Sequence, residues 1–267
     1  MQNRIEEKMN EIRGQKKKSF SIVLMIGDPT PEITIRDIEI ALENGVDILE
    51  LGIPYANPYL DSKIMKESME RALTWSNDPK DYMDFIKQIR DKFPSVPFEI
   101  MVYHETVMKI GIDQFANGLK KAEMDAVLVA DYVDRDSEFL EKFDQSLKDS
   151  EVIPIRFVPH PYEQTQIDDL KKNGRGFVIA QTIADAEGNR KSISPKNEEK
   201  IKTLRESGVM TPIVSAYGIR TPEDIGKCIE LGADGVLLGT VVLDAAFNKS
   251  QEDFSKFLKS LSDATYY

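Results

Sequence analysis

Short, almost wholly apolar runs alternate along the chain with longer stretches in which apolar positions recur every three or four residues. Runs of the first kind are typical of parallel strands, because both faces of such strands are buried. Stretches of the second kind are typical of amphipathic helices. The runs predict eight strands, at residues 21–27, 46–52, 97–103, 126–131, 152–158, 176–182, 212–218 and 235–240.

The helical stretches between these runs end at glycines, as helix C-termini often do. Examples are residues 33–44 before Gly45, 201–207 before Gly208 and 222–231 before Gly232. Strands that alternate with helices predict βαβ units and a parallel sheet. Eight units without a break favour a closed (β/α)8 barrel, the TIM barrel, over the alternative of an open doubly wound sheet. The 267 residues suit one barrel domain over 1–267, since such a domain needs about 250.

Two helices are additions to the simple barrel pattern. Residues 4–13 predict an N-terminal helix, which we expect to cap the bottom of the barrel. A helix over 79–92 follows the helix over 61–75, so the unit after strand two has two helices.

The net charge of −11 disfavours nucleic acid and anionic membranes as partners, because both repel an acidic surface. No stretch approaches the roughly 18 apolar residues of a membrane span, and we expect a cytoplasmic protein. The single Cys228 lies in a helical pattern and is expected to be buried and inert. His104 and His160 are the only histidines, and their spacing does not indicate a metal site.

Glu50 interrupts the apolar run of strand two, near the strand end where barrels carry out chemistry. Strand alternation places Ile48, Glu50 and Gly52 on one face, so the carboxyl points into the barrel. Burial raises a carboxyl pKa toward the range that is useful for proton transfer. Glu50 is therefore a candidate acid/base, and the alternative is a structural carboxylate paired with a cation. Asp61, after the next turn, is either a second functional carboxylate or a helix N-cap.

Glycines at strand ends predict a phosphate site. Gly218 and Gly239 end strands seven and eight, and Thr240 opens a short helical stretch over 241–247. Backbone N–H groups approach a ligand closely at glycine, and a helix N-terminus attracts negative charge. Gly188, in the loop after strand six, is placed to complete the cradle. The alternative is that these glycines serve barrel turns alone.

These residues together resemble the tryptophan synthase alpha subunit family along nearly the whole chain. The most specific match is residues 49–58, which include Glu50, Gly52 and Pro54. Further matches are residues 26–29, 101–103, 111–113, 127–131, 174–177, 217–222 and 239–240, together with Asp61.

The resemblance implies a barrel lyase of tryptophan biosynthesis. Such an enzyme splits indole-3-glycerol phosphate into indole and glyceraldehyde 3-phosphate by retro-aldol cleavage. It implies no cofactor on this chain and a separate PLP-dependent beta subunit as a possible partner. It also implies that Glu50 moves the protons and that Asp61 stabilises the indole N–H. Phosphate-binding positions fall on Gly188, Gly218, Gly239 and Thr240, and pocket positions on Val23, Met101, Tyr103, Leu128, Phe157 and Ile179.

The chain departs from the family pattern at the same end of the barrel. Asp61 is followed by Ser62 and Lys63, and the loop at 185–187 is acidic. Residues 131–133 read Asp-Tyr-Val where the family has Asp-Val-Pro, part of its beta-subunit contact, and residues 104–105 replace Ala-Asn after strand three. One alternative is therefore a divergent paralogue that acts on another phosphorylated substrate without a beta subunit. Another is an inactive barrel with a binding role, against which the retention of Glu50 and Asp61 argues.

Overall fold

A ring of parallel strands forms the centre of the molecule. The computed structural model describes residues 3–132, 135, 137–148, 150–187 and 190–267. The strands are β1 Ser19–Met25, β2 Ile48–Gly52, β3 Phe98–Val102, β4 Ala126–Val129, β5 Ile153–Pro154, β6 Arg156–Val158, β7 Val178–Gln181, β8 Ala184–Glu187, β9 Arg190–Ile193, β10 Ile213–Ala216 and β11 Gly235–Leu238.

The main sheet has the order β5-β4-β3-β2-β1-β11-β10-β7-β6, and all its pairings are parallel. Its two end strands, β5 and β6, are separated in the chain by Ile155 alone. The Ile155 N–H donates to the carbonyl of Val127 at 2.8 Å. The ring therefore closes through this residue, and the predicted barrel of eight strand positions is confirmed.

The near-continuous apolar runs follow from burial on both sides of the ring. Along β1, Ile22 and Leu24 pack in the outer cluster beneath the helices. Val23 and Met25, between and after them, belong to the inner cluster of the barrel. Alternation within each strand thus fills two apolar layers.

Twelve helices are found in the described ranges, at α1 Arg4–Arg13, α2 Pro31–Glu43, α3 Lys63–Leu73, α4 Pro79–Lys92, α5 His104–Ile110, α6 Ile112–Lys121, α7 Ser137–Leu147, α8 Gln164–Asn173, α9 Lys196–Glu206, α10 Pro222–Glu230, α11 Thr240–Asn248 and α12 Gln251–Asp263. Those that begin with proline are capped by a polar side chain one residue earlier, Thr30, Asp78 or Thr221. None of the described helices is long and apolar enough to cross a membrane.

Helix α1 covers the N-terminal ends of the strands, as predicted. Ile5 and Met9 are buried in the inner cluster. The Asn3 side-chain amide donates to the carbonyls of Asp125 and Glu151, each at 2.7 Å, just before β4 and β5. The second predicted addition is also confirmed, since α3 and α4 both lie between β2 and β3.

Helix α5 and the strands β8 and β9 were not predicted. Helix α5 begins at His104, directly after β3, without a side-chain cap from Tyr103. Strands β8 and β9 form an antiparallel pair outside the barrel, in the segment after β7. Their sequences are largely polar, so hydrophobic periodicity does not reveal them.

Candidate active site

A cavity of about 350 Å³ opens at the carboxyl ends of the barrel strands. This volume suits a small-molecule ligand. Eight of the predicted site residues line it, namely Glu50, Asp61, Tyr103, Leu128, Ile179, Gly218, Gly239 and Thr240. Val23 and Met101, implied by the resemblance, line it as well.

Strand alternation brings Glu50 to the floor of this cavity, where it is only 2% exposed. Desolvation by burial, and then the nearby charge of Asp61, raise the pKa of Glu50 to about 8. Among the described residues, the groups that act on its charge are Asp61 and Glu99, not a cation. The alternative of a structural ion pair therefore lacks support, and the carboxyl is suited to carry a proton at neutral pH.

Asp61 faces the cavity from the loop after β2. The Tyr103 hydroxyl donates to Asp61 Oδ2 at 2.6 Å. Burial raises the pKa of Asp61, while the hydrogen bond from Tyr103 and the charge of Lys66 oppose that rise. The N-cap of α3 is Ser62, whose hydroxyl accepts from the Met65 N–H. The alternative of Asp61 as the N-cap is therefore wrong, and its carboxylate is available to a ligand.

The other end of the cavity is formed by backbone. Gly218 has φ +74°, a conformation that favours glycine. A Cβ atom at Gly239 would lie 3.1 Å from Met65 Cε and 3.2 Å from Val23 Cγ2, so there is little room for a side chain. Thr240 is the first residue of α11, and its hydroxyl lies 3.0 Å from that of Ser62.

Among the predicted site residues that the structure describes, Phe157 does not line the cavity. Phe157 packs edge-on against Tyr217, with ring centroids 5.5 Å apart, and Tyr217 itself lines the cavity. Phe157 therefore lies behind the wall. Gly188 lies outside the described residues.

Sequence reasoning missed two charged residues. Arg220 is exposed and lines the mouth beside Gly218, and none of the ion pairs among the described residues includes it. Glu99 on β3 is fully buried and is the register partner of Glu50 on β2. The signal that singled out Glu50, a charge inside an apolar run, applies equally to Glu99.

Barrel and cavity together define a (β/α)8-barrel protein with carboxylates at the carboxyl ends of its strands. The family model of the tryptophan synthase alpha chain matches residues 9–264. The alpha chain of Thermoanaerobacter sp. (strain X514) is 30% identical over 269 residues, which cover 98% of this chain and 99% of that one. The alpha chain of Shewanella oneidensis is 26% identical, with 98% and 93% covered. The chain belongs to the tryptophan synthase alpha chain family.

Solved structures agree on the fold. The alpha chain from Legionella pneumophila superimposes with a TM-score of 0.84 at 22% identity, covering 99% of this chain and 98% of that chain. A structure of Mycobacterium tuberculosis tryptophan synthase gives 0.84 at 20% identity, with both chains fully covered. The predicted family is confirmed, and with it the predicted class of carbon–carbon lyase.

Proposed function

We propose that this chain cleaves indole-3-glycerol phosphate to indole and glyceraldehyde 3-phosphate, with Glu50 as the acid/base. The observation that carries the proposal is that Glu50 and Asp61 face one cavity, in a chain of the alpha chain family. Leu128 and Ile179 give this cavity an apolar wall for a flat ring. The backbone at Gly239 forms its other end.

Retro-aldol cleavage needs a proton added to the ring carbon and a proton removed from the hydroxyl on the neighbouring carbon of the glycerol chain. The protonated Glu50 carboxyl gives its proton to the ring carbon that bears the glycerol chain. The carbon–carbon bond then breaks, and its electron pair returns to the ring. The hydroxyl oxygen becomes the aldehyde carbonyl, and its proton passes to the Glu50 carboxylate. Glu50 ends protonated, as it began, so no other reactant is needed.

Asp61 stabilises the intermediate of this reaction. Protonation of the ring carbon places positive charge on the ring nitrogen. A carboxylate in a partly desolvated cavity stabilises such a charge strongly. Asp61 is half-buried, and Tyr103 holds it in place through the 2.6 Å hydrogen bond. Tyr103 thus supports the aspartate, in addition to its predicted contact with the substrate.

The phosphate is proposed to bind where β10 and β11 end. The N-terminus of the nine-residue helix α11, at Thr240, favours an anion. The Arg220 side chain supplies a formal positive charge at the same rim of the cavity. Gly188 stays a prediction as a third backbone contact.

The direct test is to mix the purified chain with indole-3-glycerol phosphate and to measure free indole. We expect indole release from the chain alone. A folded protein that releases none, with or without a beta subunit, contradicts the proposal.

A second candidate is a lyase for another phosphorylated substrate, built on the same Glu50. It is favoured by Ser62, which contacts Thr240 at the phosphate end, and by the second buried carboxyl at Glu99. Tight competitive binding of indolepropanol phosphate favours the indole substrate, whereas failure to bind favours the second candidate.

The family also supports a PLP-dependent beta subunit as a possible partner. Residues that follow strands three and four are engaged within this chain. Glu105 accepts a hydrogen bond from Tyr55, and Asp131 accepts from the His104 N–H at 2.9 Å.

The single domain over 1–267, the absence of a cofactor and the cytoplasmic location stay predictions.

A further inference from the structure

Strand β3 brings a second carboxyl into the barrel interior. Glu99 pairs in register with Glu50 on the neighbouring strand β2. Its alternation partner Met101 belongs to the inner cluster, as does Ile48 on β2, so both glutamates point inward. Glu50 lines the cavity, whereas Glu99 is 0% exposed and lies behind it. The mechanism above does not use Glu99.

Three of the four carboxyl oxygens of this pair have no N–H or hydroxyl partner in the described structure. Glu50 Oε2 and both carboxyl oxygens of Glu99 are buried without such a partner. Burial of one unpaired carboxylate is costly, and burial of two adjacent ones is more so. Both costs are avoided when one carboxyl keeps its proton and its O–H donates a hydrogen bond to the neighbouring carboxyl.

We propose that Glu99 is a positioning residue that stays protonated and donates a hydrogen bond to Glu50. The pair then acts as one acid, and Glu50 is the member that exchanges protons with the substrate. When Glu50 gives up its proton, the new carboxylate receives the hydrogen bond from Glu99. Glu99 thereby makes Glu50 a stronger acid than its burial alone would allow.

The electrostatics agree with this direction. Burial and the charge of Glu50 raise the pKa of Glu99 well above its ordinary value. The hydrogen bond from Glu99 lowers the pKa of Glu50, against the larger effects of burial and Asp61. Asp61 and Tyr217 are the titratable groups that face the pair from other elements, and Tyr103 and Lys66 act through Asp61.

The test uses three variants of the intact chain. Glu99→Gln keeps a hydrogen-bond donor without a titrating proton, whereas Glu99→Met keeps the unbranched shape and removes the donor. Glu99→Leu is a second apolar variant, which serves if Met does not pack. Melting temperatures identify the variants that fold.

The readout is the pH titration of the Glu50 carboxyl by carbon-13 NMR in the free protein. Its resonance is assigned by its absence in Glu50→Gln. In Glu99→Gln, we expect the titration midpoint of Glu50 to lie within about 0.3 pH unit of the wild-type midpoint. In Glu99→Met, we expect it to lie about one pH unit above the wild-type midpoint. An unchanged midpoint in Glu99→Met, a lower one, or an equal shift in both variants would overturn the proposal. A lower midpoint means that Glu99 is ionised in the wild type.

This titration needs no substrate, so it is independent of indole release. The kinetic part rests on the proposed function. In Glu99→Met, kcat of indole release is expected to fall about tenfold, because Glu50 becomes a weaker acid, and KM is expected to stay unchanged. In Glu99→Gln, kcat is expected to be close to that of the wild type. A wild type that releases no indole but titrates as expected contradicts the lyase function and leaves the carboxyl pair standing.

Discussion

Glu50 carries the most direct prediction at the scale of single residues. Glu50→Gln keeps the size of the side chain and removes proton transfer, so turnover should fall by about 10²–10⁴-fold. Binding of glycerol 3-phosphate, measured by calorimetry, should stay unchanged because the phosphate end is intact. Glu67→Gln on the exposed part of α3 is the matched control and should leave both quantities unaltered. Joint loss of turnover and phosphate binding would mean that Glu50 is structural.

The pH dependence of kcat/KM follows from the two carboxyls. Because the pKa of Glu50 is raised to about 8, its proton is present below that pH and activity should fall above it. Because the pKa of Asp61 is raised, its charge is lost as the pH falls, at a higher pH than for an ordinary aspartate. We expect a bell-shaped profile, measured by indole release. The substrate phosphate also titrates near pH 6, so phosphorus-31 NMR must locate its contribution. Full activity at pH 10 would contradict the role of Glu50.

Arg220 is predicted to contribute to binding rather than to chemistry. Arg220→Ala should raise KM about tenfold, as expected for the loss of one hydrogen bond to a charged group, with kcat little changed. Steady-state kinetics of indole release measure both. Arg13→Ala, which removes the same charge at the opposite end of the barrel, is the control. A fall in kcat without a change in KM would place Arg220 in the chemical step.

At the scale of elements, local signals decided what could be predicted. The bounds of α1 and α4 agree with the sequence prediction because polar caps and charged faces mark both helices. Strand five is divided into β5 and β6, and Pro154 at the division has no backbone N–H. Helix α5 was missed because it has only seven residues and no side-chain cap at its start, and β8 and β9 because they are polar.

The residues of the site that could be predicted are those identified by their position at the end of a single strand. Glu50 and the two glycines follow from their places at strand ends, but Glu99 gains meaning only from the register of β2 with β3. The choice between a functional Asp61 and an N-cap needed the position of Ser62, which differs from Asp61 by one residue. One residue is within the ordinary uncertainty of a helix boundary.

Ser62 connects α3 to α11 and carries a prediction at this scale. Ser62→Ala removes an N-cap, so the free energy of unfolding should fall by about 1 kcal/mol, as measured in urea. It also removes the contact with Thr240, so KM should rise. Ser250→Ala removes the corresponding cap of α12, which lies outside the cavity residues. It should cost similar stability without a change in KM. An equal KM effect in both variants would argue against the Ser62 contact.

At the scale of the whole molecule, the mouth is organised without a partner. Asp61 is already held by Tyr103, and Asp131 is engaged by His104 within this chain. Coupling between two sites usually changes an affinity by at least about fivefold. We therefore expect a beta subunit from a relative to change the rate of indole release by less than about fivefold. Kinetics with and without that subunit, together with sedimentation to detect a complex, measure this. A larger activation would show that the partner completes the site.

The β4–β5 and β1–β11 pairings divide the barrel into two halves, and each half contributes a different part of the site. Between β4 and β5 there are two register pairs, and between β1 and β11 there are four. Glu50 and Asp61 lie in the half formed by β1–β4, whereas Gly218 and Gly239 belong to the half formed by β5, β6, β7, β10 and β11. A substrate that is held at both ends therefore crosses from one half to the other and acts as a molecular cross-link. Its binding free energy adds to the cohesion of the barrel by mass action.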